Sequence, residues 1–195
     1  MSVVFAKRIF SSDFEQTSNG PVLETHNLEV NVMSHKSLAV VEYLKMNNLT
    51  ISAAESLTGG LFQSTIVKYP GASKIFEGGF VTYSEWAKTK LLGVPADEIK
   101  KFGVVSNEVA RSMARGCQHV MGSDIGVGFT GAAGPTTLNG KAIGTAWIGF
   151  HFDGKDHSIL VNDSSLGRND FREYCVNVAF KELSHILNMG ELGNE

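Results

Sequence analysis

The sequence predicts an α/β fold: a single three-layer α/β/α domain around a mixed, largely central β-sheet. Three observations carry this reading. Strand-like and helix-like segments alternate early in the chain, the pattern of parallel βαβ units. A later pair of strand-like runs is joined by Asp153-Gly154, a hairpin signal that adds antiparallel strands and makes the sheet mixed. The chain has 195 residues, 43% of them hydrophobic, enough for one well-packed domain and too few for two of ordinary size with a linker.

Residues 1–33 mix Ser, Thr, Asn, Gln and Glu with isolated apolar residues, show no sustained period and contain a turn signal at Asn19-Gly20-Pro21. They read as an N-terminal extension, with the folded domain over residues 34–190. From Ser34, a candidate cap, Leu38, Val41 and Leu44 fall at helical spacing, and Asn47-Asn48 can stop the helix. Residues 49–54 read as a short buried strand, and 60–68 as a helix ending before Pro70-Gly71. Residues 79–83 are strand-like, 84–92 helical, and Pro95-Ala96-Asp97 opens a short helix. Ser106 is placed to cap the next helix, whose Val109, Met113, Cys117 and Val120 form an apolar stripe. Residues 124–129 follow as a strand, then a loop over 131–140, hairpin strands over 142–152 and 157–161, and a last helix over 170–187.

Seventeen Lys and Arg against twenty Asp and Glu leave a formal charge of −3, without the basic footprint of a nucleic-acid binder. The two cysteines, Cys117 and Cys175, have no CxxC spacing, which fits a reducing compartment. No apolar run approaches the roughly 20 residues that span a bilayer, and the start of the chain, despite Lys7 and Arg8, has too short an apolar stretch for a secretory signal. A cytoplasmic protein with neither nucleic-acid nor membrane partners is expected.

Chemistry is most concentrated around Ser56. Thr58-Gly59-Gly60 leads from a strand into a helix, where backbone N–H groups and the positive end of the dipole favour an anion. A serine hydroxyl becomes a nucleophile only with a nearby base and donors for the developing oxyanion. Taken alone, these residues favour capping by Ser56 and Thr58 over catalysis, and a G-x-S-x-G elbow is absent because Ala54 precedes Glu55-Ser56. The six histidines, His26, His35, His119, His151, His157 and His185, offer no convincing base and no metal-ligand spacing.

Several motifs in order resemble one family. Ala54-Glu55-Ser56-Leu57-Thr58-Gly59-Gly60 is similar to the AES-x-TGG signature of the CinA C-terminal domain family, which includes nicotinamide mononucleotide deamidases. Gly79-Phe80-Val81-Thr82-Tyr83-Ser84 followed by Ala87-Lys88, then Gly103-Val104-Val105-Ser106, Thr130-Gly131-Ala132-Ala133-Gly134-Pro135 and Gly144-Thr145 resemble its later signatures. The resemblance spans roughly residues 34–187.

It implies hydrolysis of the carboxamide of nicotinamide mononucleotide to the nicotinic acid form and ammonia, a step of pyridine nucleotide salvage. Ser56 is then the nucleophile, Lys88 its base and Tyr83 an assisting residue. Thr58, Gly59, Gly60, Ser73, Thr130 and Gly131 are implied to contact substrate, and Arg168 to hold the phosphate, with Arg172 as its fallback. The small-molecule mononucleotide is the implied partner, no metal or organic cofactor is required, and a homodimer is expected.

A lysine acts as a base only when neutral, so its reference pKa near 10.4 must be lowered by burial or a neighbouring positive charge. Without the resemblance, Lys88 beside Lys90 reads as a solvated lysine on a helix face, and Ser73 as a helix cap. Two departures stand out. Leu57 replaces a cysteine common in the family, and residues 136–141 lack the usual acidic, glycine-rich character. A non-catalytic nucleotide-binding or interaction module of the same fold is the alternative they motivate.

Overall fold

A computed structural model describes residues 23–137 and 140–189. The expectations for residues 1–22, including the turn at Asn19-Gly20-Pro21, and for Leu138-Asn139 lie outside the described residues.

Among the described residues, six α-helices and five strands follow one another as α1 (Leu23–Asn47), β1 (Ile51–Glu55), α2 (Leu61–Val67), β2 (Phe80–Val81), α3 (Glu85–Leu92), α4 (Ala96–Phe102), α5 (Asn107–Met121), β3 (Ile125–Ala132), β4 (Thr145–Phe152), β5 (Lys155–Asn162) and α6 (Arg168–Ile186). A 3₁₀ turn at Ala72–Lys74 lies between α2 and β2. The sheet order is β2-β1-β3-β4-β5, with β1 parallel to β2 and β3, and β4 antiparallel to β3 and β5. The sheet is mixed, as the sequence predicts, and its antiparallel part comes from the Asp153-Gly154 hairpin.

Alternation along the strands divides the core between two helical layers. Ile51 and Ala53 of β1, and Ile125, Val127 and Phe129 of β3, pack with Val40, Val41 and Leu44 of α1, Phe62 and Ile66 of α2, and Phe171, Phe180 and Leu183 of α6. Phe62 stacks on Phe180 with centroids 4.7 Å apart and tilts against Phe129 at 5.2 Å. Burying each such ring removes enough apolar surface to stabilise the fold by about 1.5–3 kcal/mol. On the opposite face Ala54 packs with Leu92 of α3, Ile99 of α4, and Val109, Met113 and Cys117 of α5.

The second face is unusually tight because glycine replaces side chains where α5 crosses the sheet. A Cβ at Gly126 would lie 2.0 Å from the Ala114 carbonyl oxygen, and one at Gly128 2.3 Å from that of Ala110. Only residues without a side chain admit a helix backbone that close.

Beyond shifts of a few residues at several element ends, the structure departs from the sequence reading at Ser34, Val120 and Gly144. Helix α1 begins at Leu23, so Ser34 lies within it and does not cap it. Val120 leaves the apolar stripe of α5 and is 51% exposed in the last turn, past the edge of the sheet. Strand β4 starts at Thr145, because Gly144 adopts φ +76° and packs against the Asp163 backbone, where a Cβ would meet the carbonyl oxygen at 2.1 Å.

Candidate active site

From β1 the chain passes through α2 to β2 on one side, then returns through α3, α4 and α5 to β3 on the other side of β1. Such a reversal opens a crevice at the carboxyl ends of the parallel strands. Ser56 is the first residue beyond β1 and sits in that position, its N–H bonded to the Phe129 carbonyl of β3 at 3.1 Å. It is 8% exposed.

Ser84 caps α3, accepting from the Ala87 N–H, and so fixes where the helix begins. Lys88 and Leu92, four residues apart, are then the buried positions of α3. Lys88 is 1% exposed. Its Nζ reaches Ser56 Oγ at 3.1 Å across 32 residues of sequence and donates to the Thr82 carbonyl at 2.7 Å. Burial lowers the Lys88 pKa from 10.5 to about 8, against the opposing field of Glu85. A neutral amine that donates one N–H to Thr82 can direct its lone pair at the Ser56 hydroxyl.

The Ser56 loop is braced from two sides, in roles the local sequence did not single out. Glu55, fully buried at the end of β1, accepts from the N–H groups of Gly60, Phe62 and Gln63 and from the Gln63 side-chain amide, at 2.9–3.2 Å. It thereby caps α2, whose N-cap Gly60 has φ 96° and no side chain to do so. Two of the N–H groups expected to face an anion at this helix start are engaged within the protein: that of Gly60 by Glu55, and that of Gly59 by the Ser56 carbonyl at 3.2 Å. The missed signal is the Gly-Gly helix start itself, which lacks a capping side chain and so requires an acceptor from elsewhere.

Arg172 supplies the second brace. Its Nε donates to the Leu57 carbonyl at 2.9 Å and its Nη2 to that of Thr58 at 2.7 Å, while Nη1 binds Asn169. All three guanidinium nitrogens of Arg172, the fallback for the phosphate, are engaged within the protein. Arg168 is exposed at the start of α6, donating to the Gly134 carbonyl and, at 3.2 Å, to the Tyr83 hydroxyl. Tyr83 is 65% exposed, and among the described residues its hydroxyl bonds to Arg168 and not to Ser56 or Lys88.

Three other residues expected to contact substrate have these surroundings. The Thr130 side chain is buried and donates to the Val104 carbonyl at 2.6 Å, tying the 103–106 segment to β3. Gly131 follows it in β3, packed so closely on Ala146 that a Cβ would lie 2.6 Å from that residue's Cβ. Ser73 is not brought to the crevice. It lies in the 3₁₀ turn before Ile75, whose carbonyl accepts from the Ile51 N–H at the amino end of β1, the end opposite Ser56. Leu57 is 5% exposed and joins the main core cluster, so its replacement of cysteine alters packing and leaves Ser56 and Lys88 in contact.

The histidines with ion partners are distant. His151 pairs with Asp156, and His157 and His185 with Glu182, all around the far ends of β4, β5 and α6. A cavity of about 380 Å³ at that end, lined by Phe152, Asp156, His157 and Ile186 among others, has no Ser, Thr or Cys in its wall. Among the described residues no cluster of three His, Cys, Asp or Glu could hold a metal ion, and no helix is long and apolar enough to cross a membrane.

Residues 34–187 match the CinA C-terminal domain family. The chain belongs to that family. It is 47% identical over 150 residues to a protein of Limosilactobacillus reuteri that carries the name competence-damage inducible protein, covering 76% of this chain and 36% of the relative. A Streptococcus pneumoniae protein of the same name is 46% identical over 141 residues, 72% of this chain and 34% of its own. The chain thus spans about a third of the length of these curated relatives. Among solved structures, a competence/damage inducible protein of Agrobacterium tumefaciens superposes with a TM-score of 0.76 at 28% identity, over 79% of this chain and 94% of that one. A CinA superfamily protein of Escherichia coli gives 0.76 at 26%, over 79% and 90%. In this CinA-family chain the AES-x-TGG and Tyr-Ser-x-x-x-Lys motifs are the segments that meet at the crevice.

Proposed function

We propose that this CinA-family domain is a serine amidohydrolase that removes the amide nitrogen of nicotinamide mononucleotide as ammonia. The observation that carries the reading is the 3.1 Å contact between Ser56 Oγ and a buried Lys88 whose pKa is lowered to about 8. A structural lysine at this depth is ordinarily paired with a carboxylate. Lys88 instead faces a hydroxyl and a carbonyl.

In the proposed reaction neutral Lys88 takes the Ser56 proton as Oγ attacks the carboxamide carbon. The resulting ammonium gives that proton to the departing nitrogen, the C–N bond breaks, and ammonia leaves an ester on Ser56. Water, deprotonated by Lys88, attacks the ester; the carboxylate departs and Ser56 recovers its proton. Arg168, at the start of α6 and the mouth of the crevice, is the group we assign to the phosphate, because a guanidinium can donate two parallel hydrogen bonds to its oxygens. Tyr83, through Arg168, belongs to this binding side.

Incubating the purified protein with nicotinamide mononucleotide and measuring ammonia tests the reading, with Ser56→Ala and Lys88→Ala as controls. Release by the parent protein that both variants lose supports it; equal release from the variants refutes it. Tight nucleotide binding without ammonia would identify a binding module in its place.

A further inference from the structure

We propose that Arg172 is a positioning residue that builds the oxyanion hole, which consists of the Leu57 and Thr58 amide N–H groups. The inference rests on the Ser56 nucleophile reading above and names donors that reading leaves open. It follows from accounting for every N–H between Ser56 and Gln63. The Ser56 N–H goes to Phe129, that of Gly59 to the Ser56 carbonyl, that of Leu61 to the Thr58 carbonyl, and those of Gly60, Phe62 and Gln63 to Glu55. Among the described residues, the Leu57 and Thr58 N–H groups remain without an acceptor. They follow the nucleophile directly, the place from which strand-to-helix serine turns supply an oxyanion donor.

Their direction is set by the carbonyls. In a trans peptide the N–H of one residue points opposite the C=O of the residue before it. The Leu57 carbonyl is held by Arg172 Nε, so the Thr58 N–H points away from α6; the Ser56 carbonyl is held by Gly59, so the Leu57 N–H is fixed too. Arg172 reaches the loop from the α6 layer, and Lys88 reaches Ser56 from the α3 layer on the opposite face of the sheet. The Thr58 N–H, turned away from Arg172, is turned toward the side where Lys88 meets Ser56, and the Leu57 N–H beside it is held by the Ser56–Gly59 turn. The second bond, Nη2 to the Thr58 carbonyl, anchors the following Thr58–Gly59 peptide, so Arg172 holds two consecutive peptides of the turn.

Labelling of Ser56 by a small alkyl fluorophosphonate, in which Oγ displaces fluoride from phosphorus while negative charge grows on the phosphoryl oxygen, tests this without relying on the nucleotide substrate. The rate is followed by intact mass for the parent protein, Ser56→Ala, Arg172→Gln and Arg172→Lys. The parent protein is expected to label and Ser56→Ala not. Arg172→Gln should label on the order of 100-fold more slowly, the cost of a lost oxyanion donor. Arg172→Lys, which can hold only one carbonyl, should fall between. The pH midpoint of labelling should stay at the parent value in both variants, because Lys88 is untouched, whereas general loosening of the site would move it. Arg172→Gln, or Arg172→Lys should the former not fold, reacting within about threefold of the parent rate would overturn the assignment of Arg172. A parent protein that does not label would overturn the Ser56 reading and this inference with it.

Discussion

Lys88 Nζ lies 3.1 Å from Ser56 Oγ, with one N–H of the amine committed to the Thr82 carbonyl 2.7 Å away. The contact brings together the ends of two layers, α3 on one face of the sheet and the β1–α2 turn at its edge. Its chemistry depends on Lys88 losing its proton.

That dependence sets a pH profile. With a Lys88 pKa of about 8, kcat/KM is expected to rise with pH as the amine becomes neutral, with its midpoint near that value. Glu85 raises the Lys88 pKa, so Glu85→Gln should move the midpoint to lower pH. Steady-state rates across about pH 6 to about pH 10 check both; a midpoint unmoved or moved upward in Glu85→Gln contradicts the electrostatic account.

The same burial makes Lys88 a cost to the fold. Its folded pKa, about 8, lies below the unfolded value of 10.5, so at neutral pH the folded state holds a buried ammonium that it disfavours. Between those values the unfolded chain binds more protons than the folded one, so this penalty is relieved as pH rises and is absent above the upper value. Lys88→Met is expected to be inactive yet more stable at pH 7, by on the order of 1–3 kcal/mol. Denaturant unfolding at pH 7 and again near pH 10 checks it: the advantage should shrink at the higher pH.

Glu55 is the opposite case, a buried charge whose donors are all in place. Glu55→Ala leaves the N–H groups of Gly60, Phe62 and Gln63 without their acceptor, and is expected to destabilise the protein by at least about 3 kcal/mol. Glu55→Gln keeps one carbonyl oxygen but turns an NH₂ toward donors, so it should recover only part of that loss. Urea denaturation of the three proteins measures the order.

Arg168→Ala is expected to raise KM for the mononucleotide by about tenfold or more while changing kcat little, the signature of a ground-state phosphate contact. Nicotinamide riboside, which lacks the phosphate, provides the comparison. Its kcat/KM should be nearly the same in parent and variant, and an equal loss on both substrates would remove the phosphate role.

Much of the fold is legible because its signals are local. Ser84 and Ser106 cap the helices they precede, Asp153-Gly154 turns the hairpin, and Val109, Met113 and Cys117 fall on one helical stripe. The pairing of Ser56 with Lys88 is not local: spacing alone left Lys88 a surface residue, and only the family's motif order joined the two. The burial of Lys88 one turn before Leu92 on α3 is the feature to seek in other chains, since Lys90 between them is exposed. Glu55 and Arg172 escaped because their roles are to accept from or donate to backbone groups, which leave no residue pattern. Ser73 is ambiguous in the sequence because a small polar residue after a turn fits a 3₁₀ turn as well as a binding position.

The central claim is that Ser56 and Lys88 act as one catalytic unit, and the ammonia assay on Ser56→Ala, Lys88→Ala and the double variant tests it most directly. The account predicts that each single change removes nearly all turnover of nicotinamide mononucleotide and that the double change costs little more, because residues that act as a unit are not additive. Single variants that keep substantial activity, or a double variant whose loss is the product of two independent losses, would contradict it.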